Sequence, residues 1–582
     1  MPLAILENID RFWLSLVMNY SSYFQNISKW LFCFVLFLSL ISKTEAQDLS
    51  DIKNTKAATL SGSLGTNMVF YNANGIKDRQ DPFAYGFNAN ATLTLYGISM
   101  PFSFTWYNHN STYSQPFNQF GVSPKYKWIT AHLGYRNLTF SEFTLNGHTF
   151  LGAGVELNPG KFRFGALYGK FNENSEYDPY MADSLPKFTR KGWAMKIGYG
   201  DDKSFVDFSM LRIGDDPENF QLPKTSDSPL PQQNMAYGLT GRLAVTKQLI
   251  FDVDGSLSFY TENRKANRIA SIDDKWLSFS DNFMTINQTS KYYTAFKSAL
   301  VYKFTDKITT GFEYRRIGPE YRSMGAYFFN NDVENITINQ TGSFLKNKLT
   351  ARGSLGMQHD NLDNTKKTTS KRTIGSLVTT YTFNENYAID ATYSNFTTNQ
   401  KAGKMAVIDS LKLYQVNHNV SIIPRYMKVT EKMSHVVMFN INLMKLDDKN
   451  KKTQNQTETN TTILTGTYVL GLLQQKLNLT FCLNHTKLKN NVYSNNMDGL
   501  TAGLSKTMMK DRLSFSWINS YMINKINSDK GTVINSVLSS SYKLDKHMVS
   551  FNINYIDNSF KKNSTTPSFN EIRGDFSYVF TF

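Results

Sequence analysis

The last eight residues, Asp575–Phe582, read D-F-S-Y-V-F-T-F, with Phe576, Tyr578, Phe580 and Phe582 on alternate positions. Successive side chains of a strand point to opposite faces. The four aromatics therefore share one side, and Asp575, Ser577, Val579 and Thr581 the other. As an ordinary edge strand this segment would leave four large aromatic rings exposed, an aggregation hazard. Turned toward lipid, the same face is satisfied.

The pattern recurs upstream. Phe551, Ile553 and Tyr555 alternate with Asn552 and Asn554. Val437, Phe439, Ile441 and Leu443 alternate with Met438, Asn440, Asn442 and Met444, and Leu477, Leu479, Phe481 and Leu483 with Asn478, Thr480, Cys482 and Asn484. This is period two with one apolar face and one small or polar face. The connections are short at Asn158–Lys161, Gly200–Lys203, Thr305–Lys307, Lys346–Lys348, Asn384–Asn386 and Lys543–Lys546. They are long and polar near residues 72–84, 109–124, 173–187, 215–232, 263–288, 359–370, 446–458 and 558–569. Such alternation predicts an all-β, transmembrane, antiparallel up-and-down β-barrel of about 26 strands (range 22–26), with short periplasmic turns and long external loops. The least secure stretch is 125–157, where Arg136-Asn137-Leu138-Thr139 reads as a turn or a bulge.

The other end of the chain points to export. Trp30–Ile41 is an apolar run preceded by Lys29 and followed by Thr44-Glu45-Ala46-Gln47. It is too short for a spanning helix, which needs about 20 residues. It fits a signal-peptide core with cleavage before Gln47. The expected organisation is a signal peptide over 1–46 (Met18 a possible true start), a short periplasmic lead-in over 47–57, and the barrel over 58–582. Hydrophobic residues make up 41% of the chain and aromatics 14%. No second run approaches helical-span length, which excludes a helical membrane protein. Once Cys33 is cleaved away only Cys482 remains, so no internal disulfide framework is possible. The net charge of +16 would suggest nucleic acid in a soluble protein. In an exported, strand-patterned chain it points instead to basic loops or a basic lumen, and no nucleic-acid partner is expected.

The terminal aromatic strand resembles the closing strand of Gram-negative outer-membrane barrels. The resemblance implies that Phe576, Tyr578, Phe580 and Phe582 are the signal read by the barrel assembly machinery. Two further segments carry a finer likeness. One runs from Gly134-Tyr135-Arg136 through Phe150-Leu151-Gly152-Ala153-Gly154 to Pro159-Gly160; the other is Arg315-Arg316-Ile317-Gly318-Pro319-Glu320-Tyr321-Arg322-Ser323-Met324-Gly325, continuing to Asn330-Asn331-Asp332. Together they resemble a family of large, plug-less outer-membrane barrels of Bacteroidota-type bacteria, largely without assigned function. The implied location is the outer membrane. The plug of a TonB-dependent transporter is not expected, since strand-like sequence begins near Ala58.

Arg315, Arg316, Glu320, Tyr321, Arg322, Asp332 and Glu334 form a candidate pore or rim constriction. Gly318-Pro319 breaks the strand, so the segment sits at a rim or folds inward. Its arginines and carboxylates would supply the transverse field of a porin eyelet, or pair with each other to brace the barrel. The bracing reading is favoured because pairing satisfies charges withdrawn from water. Gly152 and Gly154 fit a bulge or close strand packing rather than a ligand role. The eight histidines are scattered without metal-ligand spacing, and neither a nucleophile elbow nor a phosphate loop is present. No cofactor, no metal and no enzymatic activity are expected. Two functional classes follow: a porin-like passive channel, with some anion bias if the excess positive charge lines the lumen, or a non-conducting barrel of a surface export or assembly complex that holds a protein partner. Outer-membrane lipid and lipopolysaccharide are the other expected partners.

Overall fold

A strand with one apolar and one polar face is unsettled in water on one side and in lipid on the other. Closing the sheet on itself gives each face its own solvent. The computed structural model describes residues 58–108, 119–173, 187–217, 229–269, 271–327, 329–365, 369, 371–400, 413–561 and 566–582. The expected signal peptide, cleavage site and lead-in lie outside these residues.

Every strand pairs antiparallel with its neighbours, and β1 (Ala58–Asn74) closes against β27 (Phe569–Thr581) from Ser63↔Thr581 to Asn74↔Asn570. Gly62 and Phe582 exchange backbone bonds at 3.1 and 3.0 Å beyond that ladder. Between β3 (Ile98–Tyr107) and β6 (Ile129–Thr139) one position is shared by two fragments, β4 (Gln119–Val122) and β5 (Lys125–Tyr126). The 27 strand segments therefore make a closed barrel of 26 staves. The doubtful Arg136–Thr139 stretch is a bulge inside β6. Its pairing with β7 (Asn146–Leu157) shifts between Asn137 and Thr139, which leaves Leu138 out of the ladder. At Gly152 a Cβ would lie 2.1 Å from the Tyr168 carbonyl oxygen, so this glycine serves close strand packing.

The start of β1, the end of β27 and the short turns share one rim. The turns there include Tyr96-Gly97, Asp306-Lys307 and Asp545-Lys546. The longer connections lie at the other rim, with two exceptions: 490–493 and 527–528 are tight turns on the long-loop side. The connection 262–289 departs from a purely polar loop. It carries the short helix α1 (Lys275–Ser280) and lays Met284 and Ile286 against Met235, Tyr237 and Phe259.

The two faces separate as the alternation demands. Leu355, Met357 and Leu483 are 64%, 75% and 71% exposed, and cross-strand partners such as Phe551 and Phe576 lie on this same outward side. An apolar surface running round the whole barrel far exceeds what a water-soluble monomer exposes. Near the short-turn rim it ends in an aromatic girdle, with ring pairs Tyr302–Phe304, Tyr381–Phe383 and Tyr387–Tyr426 at 4.7, 4.5 and 4.8 Å. Cys482 faces inward, its sulfur 3.1 Å from Thr467 Oγ1.

The inside is uneven. Among the described residues, the buried apolar side chains that strands turn inward, apart from Tyr71, fall between Leu138 and Val333, whereas Met235, Tyr237 and Phe259 are buried on the outward face beneath Met284 and Ile286. One sector of the wall is thickly packed. The rest is lined by exposed or partly exposed Ser, Thr and Asn such as Ser376, Thr392, Asn440, Thr465, Asn484 and Asn552.

Phe551→Arg should destabilise the barrel by about 2–4 kcal/mol if the residue lies near the bilayer midplane, whereas Asn552→Arg, one residue on but facing the lumen, should leave stability close to wild type. Reversible unfolding in lipid vesicles measures both; equal losses would contradict the assigned faces.

Candidate functional site

The packed sector is built by two connections that fold into the barrel. One, residues 140–145, joins β6 to β7. The other, residues 318–332, joins β14 (Ile308–Ile317) to β15 (Val333–Phe344). They lie far apart in the chain, yet each satisfies the other's backbone. The Tyr321 hydroxyl donates to the Phe143 carbonyl at 2.7 Å, and the Ser323 hydroxyl to the Thr144 carbonyl at 2.6 Å. Leu145 bridges to Gly325, and the Asn146 N–H donates to the Gly325 carbonyl at 3.0 Å.

The wall completes the clamp. Asn234 accepts from the Met324 N–H at 3.0 Å and donates to Ser258 Oγ at 2.8 Å, while the Ser258 hydroxyl donates to the Arg322 carbonyl at 2.7 Å. Rings seal the junction: Phe143 lies 6.0 Å from Tyr321 edge-on, and Tyr321 5.0 Å from Phe329. Tyr321 is 1% exposed, and burial pushes its hydroxyl far above the ordinary tyrosine range.

Each residue singled out in the second motif has a definite place. Arg315 points inward and meets Glu142 Oε1 at 2.6 Å. Arg322 meets Glu262 at 2.7 Å with its guanidinium 4.1 Å from the Tyr260 ring centre. Burial opposes the charge on Arg322, but Tyr293, Tyr260 and Glu262 outweigh it and raise its pKa. Glu320 accepts from the Tyr293 hydroxyl at 3.2 Å. Asp332 is buried and accepts from the Asn361 and Leu362 N–H groups at 3.2 and 2.9 Å, which ties this connection to the next.

Arg316 and Glu334 are not part of this assembly. They pair with each other at 2.6 Å across the register, on the outward face shared with Phe312 and Ile336. Arg315 and Arg316 are adjacent, and in a strand a step of one residue reverses the face.

The lumenal charge centre draws on residues that were not singled out. Lys297 Nζ lies 3.0 Å from Glu142 and 3.9 Å from Glu313, and Arg315 Nε lies 3.5 Å from Glu313. Asp254 accepts from the Ser141 hydroxyl at 2.7 Å and the Glu142 N–H at 2.9 Å. Beneath them Arg242 and Asp252 pair at 2.6 Å. These groups surround a concavity of about 420 Å³ whose lining includes Glu142, Asp252, Asp254 and Glu313 against Lys297 and Arg242. An anion-attracting lining is therefore not what this part of the lumen presents. Glu142, Glu313, Lys297 and Arg315 keep roughly a quarter to a third of their side-chain surface in solvent, so the cluster stands at the edge of a wet lumen. The signal that could have separated Arg315 from Arg316 was strand parity. Glu142 and Lys297 carried none, because their proximity arises only on closure.

No family model matches the chain, and no curated protein matches it. Solved structures do. The FrpB iron transporter from Neisseria meningitidis (F5-1 variant) is 10% identical over 92% of this chain and 84% of its own, with a TM-score of 0.38. OpdQ of Pseudomonas aeruginosa is 9% identical over 90% and 98%, with a TM-score of 0.27. The anion-selective porin of Comamonas acidovorans is 12% identical over 50% and 93%, with a TM-score of 0.27.

Tyr321→Phe leaves the buried Phe143 carbonyl without its donor, at a cost of about 1–3 kcal/mol. Amide exchange at Asn146 should quicken roughly ten- to hundred-fold by local opening; an unchanged rate would mean that the clamp does not depend on this bond.

Proposed function

We propose that the protein is an integral outer-membrane barrel acting as a porin-like passive channel for small solutes. The observation that carries this reading is the uneven interior. Two inward connections thicken one sector, while the sector opposite keeps a lining of exposed or partly exposed Ser, Thr and Asn side chains. A barrel of this many staves is wider than side chains alone can fill. A hydrated strip of hydroxyls and amides offers solutes hydrogen-bonding replacements for water without holding them tightly.

In this reading the Bacteroidota-type host, the cleaved signal peptide and the assembly role of Phe576, Tyr578, Phe580 and Phe582 belong to the same account, and the solute crosses without chemistry. The charge cluster at Glu142, Lys297, Glu313 and Arg315 acts as a structural brace that also sets a local field at the edge of the passage. Because carboxylates outnumber cations around the concavity, the pore favours cations weakly or not at all, rather than anions.

Liposome swelling tests the reading. Proteoliposomes should swell in mono- and disaccharides at rates that fall steeply with sugar size; no swelling with verified insertion would contradict an open passage. Glu142→Gln removes one negative charge from the lumen, so the reversal potential in a salt gradient should move toward the anion-selective side by several millivolts, a fraction of kT/e. A shift the other way would mean that the cluster does not face the ion path.

A further inference from the structure

Around the long-loop rim, the outward-facing cations of several strands are matched by carboxylates. Lys170 lies 2.9 Å from Glu173, Lys191 2.9 Å from Asp216, Arg316 2.6 Å from Glu334 and Lys445 2.7 Å from Asp447. On the neighbouring strands β22 (Leu477–Lys489), β23 (Ser494–Met508), β24 (Leu513–Ile526) and β25 (Asp529–Leu544) the arrangement changes. Lys487 stands opposite Asn496, Asn496 opposite Lys525, and Lys525 opposite Lys530, which makes one lateral row. Lys489 sits in the row above. All four lysines are exposed, and among the described residues none has an ion-pair partner.

The facing carboxylates are engaged or remote. Asp498, one row below, is held by His485 at 2.5 Å. Asp557 lies in the row of Ile534 and Tyr521, lower still, and accepts from Ser559 at 3.1 Å. Asp529 alternates onto the lumenal side.

The row is unfavourable as it stands. Like charges directly opposite each other across strands are destabilising. With strands about 4.8 Å apart, three ammonium groups share a span of about 15 Å. They also sit at a definite level. On the same outward face Leu464 and Ile523 flank the His485–Asp498 pair in the row below, and Leu483, Leu500 and Tyr521 make the next row down, all five exposed and apolar. Cations above an outward face that becomes apolar below the His485–Asp498 pair match an amphiphile with an anionic head and acyl chains.

We propose that Lys487, Lys525 and Lys530, with Asn496 between them and Lys489 above, form a docking site for the phosphorylated sugar headgroup of an outer-leaflet glycolipid, whose acyl chains lie along Leu483, Leu500 and Tyr521. The site rests on the reading of this barrel as an outer-membrane protein. A free phosphate would use the lysines but not the apolar wall, so the lipid is the source that accounts for both.

The test uses the full chain, folded and moved into phosphatidylcholine nanodiscs containing a low fraction of bis-phosphorylated lipid A, with retained lipid counted by native mass spectrometry. The wild type should retain lipid A. The Lys487→Gln/Lys525→Gln/Lys530→Gln variant should lose retention by about five-fold per lysine removed, with its heat-modifiable mobility confirming the fold. Lys170→Gln/Lys191→Gln, which removes cations that already have partners, should retain lipid as the wild type does. Equal retention by the triple variant, or an equal loss in the control, overturns the site. Complete displacement by millimolar inorganic phosphate overturns the lipid as its ligand. Entry into the nanodisc without lipid A retention overturns the site alone, whereas failure to enter overturns the membrane reading and the site with it.

Discussion

The structure depends on the seam between β1 and β27. In a hydrocarbon environment no water is available to an unpaired N–H or C=O, and each such group costs several kcal/mol. A sheet with free edges is therefore excluded there. The ladder from Ser63↔Thr581 to Asn74↔Asn570 removes both edges at once, and the Gly62–Phe582 exchange extends it to the last residue. Once the sheet is closed, parity does the rest. Residues aligned with Phe576 on the closing strand face out, those aligned with Asp575 face in, and the register carries that division round every stave.

A closed sheet of this size leaves a lumen to be managed, and the chain manages it on one side. The connections 140–145 and 318–332 are held by each other's carbonyls, by Asn234 and Ser258 on the wall, and by the ring packing of Phe143, Tyr321 and Phe329. This makes an internal buttress with a charged margin. Among the described residues, cations without an ion pair include short-turn lysines such as Lys346, Lys510 and Lys546, the outward row at Lys487, Lys525 and Lys530, and the lumen-facing Arg352.

Much of the fold was legible in the residues because a barrel writes its topology locally. Phe551 against Asn552 and Phe481 against Cys482 declare their faces by parity alone, and turns such as Asp545-Lys546 mark where strands reverse. The short outer turn at 527–528 and the apolar packing of Met284 and Ile286 were less visible, since neither a tight turn on the long-loop side nor a loop folded onto the wall breaks the local pattern. The candidate site was half legible. Gly318-Pro319 signalled a strand break and the motif held the buried anchors Tyr321 and Asp332. The partners of Arg315, Glu142 and through it Lys297, are remote in sequence and meet only when the sheet closes. Arg316 and Glu334 show the converse error: neighbours in a motif, they belong to the other face of the strand.

The central claim is that one wall is buttressed and a hydrated passage remains beside it. Single-channel recording of the purified, folded barrel in a planar bilayer tests this most directly. The account predicts a steady conductance, present without any added partner and without strong anion selectivity. A barrel verified as inserted but electrically silent would contradict it, and would mean that the lumen is filled.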